Sequence, residues 1–167
     1  MNRVLPVSVL LLSGLLAAAG AVAKSADRNQ PTTIDAGGSN GNFDGDGKTL
    51  LSGGVVVTQG TLEIASNAAE VYMADGEMSR AVFTGKQVKL KQQLDDGTWM
   101  DAAADRVDYD LRTETLTLTG NYTVKTQRGS NSGQKMVYNL KTGNVQSGGD
   151  GTRVRTVIQP KSAQGKN

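Results

Sequence analysis

The sequence predicts an all-β, antiparallel fold, and three observations lead there. The first is the stretch 105–127. Val107, Tyr109 and Leu111 alternate with Arg106, Asp108 and Asp110, and Leu116 and Leu118 alternate with Thr115, Thr117 and Thr119. A period of two puts apolar side chains on one face of a strand and polar ones on the other. The second is a pair of echoes. An aromatic and then Asp or Asn, followed five positions on by Thr or Asn and an aliphatic, occurs at Phe43-Asp44, Tyr109-Asp110 and Tyr138-Asn139. Another pattern precedes two of the aromatics, as Asp105-x-Val107-x-Tyr109 and Gln134-x-Met136-x-Tyr138, with a looser copy at Asn67-x-Ala69-x-Val71. Such repetition points to hairpin units that stack one apolar face. The third is composition: 21 glycines, abundant Thr and Val, and no helical period outside the N-terminal apolar run.

Residues 1–23 open the chain as an export signal. Arg3 gives a basic start, residues 4–19 are mostly Leu, Val and Ala, and Ala21-Val22-Ala23 is a small-residue site before Lys24. Cleavage is expected between Ala23 and Lys24. No cysteine follows, which excludes a lipid-modified N-terminus. The rest is a single domain at 24–160 with a polar tail at 161–167. No second apolar stretch is long enough to cross a bilayer, so a soluble exported domain is expected. Without disulfides, its stability must come from sheet pairing and a shared core.

Within the domain, residues 24–30 are expected to be loose. Residues 32–36 form a first strand anchored by Ile34, and 37–48 are turn material with Phe43 embedded. Residues 49–65 give two strands, one with Leu50 and Val55 to Val57, the other with Leu62 and Ile64. Residues 68–73 form a strand that Asp75-Gly76 ends. Residues 81–83 and 86–94 follow, with Val88, Leu90 and Gln92 on one face and Lys89 and Lys91 on the other. At Asp96-Gly97 a two-residue hairpin turn is expected, both positions taking positive φ. Trp99 and Met100 start the return strand. A polar connection at 110–114 joins the central strands, and Gly120-Asn121 interrupts the run before Tyr122 and Val124 resume it. Residues 129–133 are expected as a turn, 135–140 as a strand and 153–159 as the last strand, which Pro160 stops.

Most chemistry is excluded by residue type. Histidine and cysteine are absent, which removes imidazole bases, thiol nucleophiles and nearly all zinc sites. Residues 42–49, NFDGDGKT, nearly spell a phosphate loop, but the first glycine is one position early and a strand follows where a helix N-terminus is needed. The same residues begin like a calcium loop with Asp44 and Asp46. Lys48 then stands at the third ligand position, and Val55 where a bidentate Glu is required. Of the carboxylates Asp105, Asp108 and Asp110, the last two alternate beside Arg106 and Arg112 as ordinary surface charge. Neither an enzyme nor a cofactor or metal site is expected. Without Arg3, the 18 basic residues fall to near balance with 16 acidic ones, so no basic face argues for nucleic acid.

Several segments, in order, carry a resemblance. They are Gln30-Pro31 leading into Ile34-Asp35, GGVVVTQGTLEI at 53–64, GKQVKLKQ at 85–92, Tyr109-Asp110-Leu111 and RVRTVIQP at 153–160. Together with the export signal they resemble the LptA/OstA-like family of periplasmic lipopolysaccharide-transport proteins, over nearly the whole mature chain. The resemblance implies an open, twisted antiparallel β-jellyroll whose two sheets make a V-shaped apolar trough for the acyl chains of lipopolysaccharide. It further implies a periplasmic bridge between an inner-membrane LptC-type jellyroll partner and an outer-membrane LptD-type one, with copies stacking head to tail. No ATP site is present, so energy would enter through a partner. The chemistry is consistent: burying an acyl chain of about 12 methylenes is favourable by about 10 kcal/mol, and a non-directional apolar surface lets it slide.

By alternation and by family position, the expected lipid contacts are Thr32, Ile34, Leu90, Tyr109 and Leu111. Val55, Val57, Ile64, Val71, Val107, Leu116, Leu118, Tyr122, Met136 and Tyr138 share their inferred face. Two other readings stand beside transport. One is an edge-stacking structural module of the envelope that binds no lipid. The other is a carbohydrate-active enzyme, which would need a carboxylate pair facing a cleft.

Overall fold

A computed structural model describes residues 23–160. The expected export signal, as far as Val22, and the expected polar tail at 161–167 lie outside those residues. Among the described residues, ten strands form one sheet: β1 (Thr32–Asn40), β2 (Gly47–Gln59), β3 (Leu62–Ser66), β4 (Ala68–Ala74), β5 (Glu77–Gln93), β6 (Trp99–Asp110), β7 (Thr115–Thr126), β8 (Gly129–Asn139), β9 (Val145–Ser147) and β10 (Arg155–Ile158). The order is β1-β2-β3-β5-β6-β7-β8-β10, with β4 bridging β2 and β5 and β9 alongside β8. Every pairing is antiparallel.

A line of local defects crosses this sheet and folds it into two facing halves. Register shifts fall between Ala36 and Gly38 in β1, Thr84 and Val88 in β5, Ala103 and Arg106 in β6, and Thr119 and Tyr122 in β7. An extra residue on one side of a ladder bends and twists the strand. β2 crosses the line at Gly53 and Gly54 (φ 77° and 87°), and β7 at Gly120 and Asn121 (φ 78° and 44°). Between β3 and β4 sits Asn67, whose N–H donates to the Thr84 carbonyl at 3.2 Å and whose carbonyl accepts from Gly54 at 3.2 Å. Polar side chains line the crease. Asn67 Oδ1 accepts from the Lys86 N–H at 3.1 Å, Asn121 Nδ2 donates to Asp105 Oδ2 at 3.0 Å, and Gln134 Nε2 donates to Asn121 Oδ1 at 3.0 Å.

The crease explains one of the sequence echoes. Asn67, Asp105 and Gln134 lie on it, and the positions that follow at two and four turn inward: Ala69, Val71, Val107, Met136 and Tyr138 are buried and Tyr109 packs against them. The other echo marks hairpin turns in two of its three copies. Asp110 Oδ1 accepts the Thr113 N–H at 2.9 Å, and Asn139 Oδ1 accepts the Thr142 N–H at 2.8 Å. The third copy is not a hairpin of this kind. Phe43 lies in the 41–46 connection and is 42% exposed.

Several expectations are corrected. β1 runs on to Asn40 and β2 starts at Gly47, so the turn shrinks to 41–46. Residues 24–30 are not loose but carry a 3₁₀ turn, Ser25–Asn29, with Asp27 buried. Leu50 faces outward and is 45% exposed, while Thr49 and Leu51 face the core. Thr49 is tolerated there because its hydroxyl donates to the Asn42 carbonyl at 3.1 Å. Residues 77–93 are one bent strand rather than two. At Asp96-Gly97 only the glycine has positive φ (81°), and the Leu94 N–H donates to Thr98, so the loop is a three-residue hairpin closed by a left-handed glycine. The two-residue turn with both φ positive sits instead at Asp75 (56°) and Gly76 (76°). Residues 129–133 belong to β8, where pairing with β7 on one side and β10 on the other outweighs their turn-like composition.

Candidate functional site: the groove between the two halves

The inner faces of both halves form one apolar cluster, but they do not meet equally along its length. At the β1 end the gap is nearly closed. A cavity of about 10 Å³ remains among Thr32, Val57, Ile64, Phe83, Tyr109 and Leu111. At the β10 end the halves stand apart and leave a cavity of about 240 Å³. Leu90, Met100 and Val124 line it from one half, and Leu116, Leu118, Met136 and Tyr138 from the other; Val157 and Ile158 of the edge strand complete its wall. Burial pushes the Tyr109 and Tyr138 phenols above their ordinary pKa, with desolvation the leading cause, so both remain neutral hydroxyls in an apolar setting.

The N-terminal turn straps the rim of one half to the rim of the other. The Lys24 N–H donates to the Gln93 carbonyl at 3.1 Å, and Lys24 Nζ to Gln93 Oε1 at 2.9 Å. The Thr61 hydroxyl donates to the buried Asp27 carboxylate and accepts from the Gln93 N–H at 3.2 Å. Gly60, at φ 59°, lets Asp27 approach; a Cβ there would lie 2.3 Å from Asp27 Oδ1. On the opposite rim, Arg28 Nε lies 2.9 Å from Glu114 Oε2, and its Nη2 donates to the Leu140 carbonyl at 3.1 Å. Glu114 Oε2 is buried with no aligned donor, so charge attraction rather than a hydrogen bond holds this contact.

The expected lipid-contact residues divide into three groups. Leu90, Leu116, Leu118, Met136 and Tyr138 line the open cavity. Thr32, Val57, Ile64, Tyr109 and Leu111 surround the nearly closed one, Thr32 being exposed at its margin. Val55, Val71 and Val107 are fully buried core, Tyr122 is 1% exposed, and Ile34 packs against the cluster. Sequence reasoning missed Leu94, Met100, Ala102, Val124, Val145, Val157 and Ile158 as cavity lining. Alternation from Leu90 and from Tyr122 would have reached Leu94 and Val124. Nothing local marks Val157 and Ile158, which are consecutive yet line the same space.

The outer faces are charged. Asp108 pairs with Arg80 through both Nε, at 2.8 Å, and Nη2, and Arg106 lies 3.9 Å away. Among the described residues no group of acidic residues could hold a metal ion, and no helix is long and apolar enough to cross a membrane.

A sheet folded on itself around an apolar gap, with its two edge strands each paired on one side only, is an open β-jellyroll with an internal groove. Residues 33–144 match the family described as LptA/(LptD N-terminal domain) LPS transport protein, and the chain belongs to that family. It is 32% identical over 167 residues to the lipopolysaccharide export system protein LptA of Escherichia coli K12, covering 98% of this chain and 90% of that protein. The LptA of Haemophilus influenzae is 32% identical over 161 residues, covering 93% and 92%. Among solved structures, LptH, described as the LptA homologous periplasmic component of the lipopolysaccharide transport device from Pseudomonas aeruginosa, superposes with a TM-score of 0.72. That match covers 80% of this chain and 99% of LptH at 24% identity, and it shows the shared fold.

Proposed function

We propose that this chain carries lipopolysaccharide across the periplasm, holding its acyl chains in the groove between the two halves. The observation that carries this reading is the cavity of about 240 Å³ at the β10 end, apolar on both walls and continuous with a free sheet edge. Acyl chains gain about 0.8 kcal/mol per methylene buried, without directional bonds that would fix them in place. Edge pairing with an inner-membrane LptC-type jellyroll at one end and an outer-membrane LptD-type jellyroll at the other would extend the groove, and copies stacked head to tail would lengthen it further. β1 and β10, each paired on one side only, are the edges available for this.

The test is displacement. A fluorescent acyl probe is bound to the purified mature chain and titrated with lipopolysaccharide. Competitive release supports the reading. Failure of both probe and lipopolysaccharide to bind would leave the edge-stacking module without lipid as the better account.

A further inference from the structure

Gln92 is a polar side chain buried just behind the apolar lining of the groove. It lies on β5 two positions beyond Leu90, on the same inward face as Val88 and Leu90, and is only 4% exposed. Its Oε1 is buried with no hydrogen-bond partner. The adjacent Gln93 shows the contrast. Its N–H donates to Thr61, its Nε2 to the Gly97 carbonyl at 3.0 Å, and its Oε1 accepts from Lys24 at 2.9 Å. A buried amide oxygen without a donor is costly, and Leu at this position would avoid the cost. The residues around Gln92 belong to the open cavity. Leu90 and Leu94 flank it in sequence, Met100 is its cross-strand partner, and all three line that space.

We propose that Gln92 is a specificity-determining residue that recognises acyl chains bearing a hydroxyl group. This inference rests on the reading that the groove holds acyl chains. A chain lying along Leu90, Met100 and Leu94 passes the amide, and a hydroxyl on it donates to the orphaned Oε1. A plain hydrocarbon chain leaves that acceptor unsatisfied. One neutral hydrogen bond biases occupancy without arresting movement along the groove, because its net contribution is modest.

The experiment compares two acids differing by one hydroxyl, 3-hydroxytetradecanoic acid and tetradecanoic acid, each displacing a fluorescent acyl probe from the purified mature chain. The wild type is expected to prefer the hydroxy acid by about five-fold, the scale of one hydrogen bond to a buried acceptor. Gln92→Leu is expected to bind the plain acid at least as well and to lose the preference, with an unchanged or raised melting temperature. Gln92→Asn keeps the amide but shortens its reach, and is expected to show a reduced preference. Equal affinities in the wild type, or a preference that survives in Gln92→Leu, would overturn the role of Gln92 while leaving the groove reading intact. Binding of neither acid nor probe by the wild type would overturn both.

Discussion

Gly85 and Asn67 touch across the crease so closely that a Cβ on Gly85 would lie 2.2 Å from Asn67 Oδ1 and 3.0 Å from the Asn67 backbone nitrogen. The side-chain oxygen could swing away only by giving up its bond to the Lys86 N–H, and the backbone nitrogen cannot move without disturbing its bond to Thr84. Gly85→Ala should therefore destabilise the fold by about 1–3 kcal/mol through overpacking. Gly97→Ala is the comparison: the space is open and only the positive φ is strained, so about 1 kcal/mol is expected. Denaturant unfolding measures both. A Gly85→Ala midpoint equal to wild type would show that the crease is soft.

The two hairpin turns of the echo should respond differently to acid. Asp110 accepts the Thr113 N–H, the leading cause that holds its pKa below the ordinary 3.8. A depressed folded-state pKa contributes stability above the unfolded value and loses it as pH falls through the folded one. Asn139 makes the matching bond to Thr142 with a side chain that does not titrate. Hydrogen exchange followed from pH 5 down to about 2 should show the Thr113 amide losing protection while Thr142 keeps its own. Asp110→Asn should remove the difference. Parallel loss at both amides would mean that the whole sheet opens rather than one turn.

The strap can be tested at Thr61. Its hydroxyl donates to Asp27, which is 5% exposed, and accepts from the Gln93 N–H. Thr61→Val keeps the shape and removes both bonds, leaving a buried carboxylate short of a donor. A loss of about 1–3 kcal/mol is expected, with Thr61→Ser close to wild type. Proteolysis should then cut within 24–30 faster in Thr61→Val alone. An unchanged cleavage rate would show that Arg28 and Lys24 hold the strap without Asp27.

How much of this was legible in the sequence depends on whether the signal was local. Alternation placed Val55, Val57, Ile64, Leu90, Val107, Leu116, Leu118, Met136 and Tyr138 on the inner face, because a strand's period of two belongs to its own backbone. The same alternation failed at Leu50, where a Gly-rich neighbourhood hid the start of β2 and Thr49 takes the inward position. Residues 129–133 misled for a different reason. Ser, Asn and Gly read as a turn, yet Gly133 lies against the Tyr122 side chain, and a Cβ there would sit 3.1 Å from its ring. Asn131 Oδ1 receives the Tyr122 hydroxyl at 2.5 Å. Those small residues make room for a side chain from the next strand, which is a tertiary fact. The strap was invisible because its partners lie far apart in sequence, as Arg28 and Leu140 do. The widening toward β10 was invisible because it depends on how two halves of one sheet sit against each other. Among outward-facing residues, Asp108 is held by Arg80 and Arg106, so Lys89→Gln, exposed beside Leu90, is the better silent substitution for groove studies.

The free edge of β10 can be blocked by a proline, and the position of that proline matters. Val157 at first sight is the residue to block, since it sits mid-strand in β10. The Gln159 N–H, however, donates to the Arg128 carbonyl at 2.9 Å, which turns residue 159 toward β8. In an antiparallel strand residues two apart point their backbone groups the same way, so Val157 also faces β8. A Cβ built on Gly129 would lie 1.9 Å from the Val157 carbonyl, which agrees. Thr156 and Ile158 therefore present their N–H and C=O groups outward, and Ile158 is 81% exposed. Val157→Pro would damage the β8–β10 pairing itself, whereas Ile158→Pro removes a donor only from the open edge. If copies stack through this edge, wild-type protein should grow in mass with concentration by light scattering. Ile158→Pro should stay monomeric with its unfolding midpoint within about 1 kcal/mol of wild type. It should still release an acyl probe to lipopolysaccharide, because the cavity walls contributed by β5, β6, β7 and β8 are untouched. Concentration-dependent growth that persists in Ile158→Pro would move the contact away from β10.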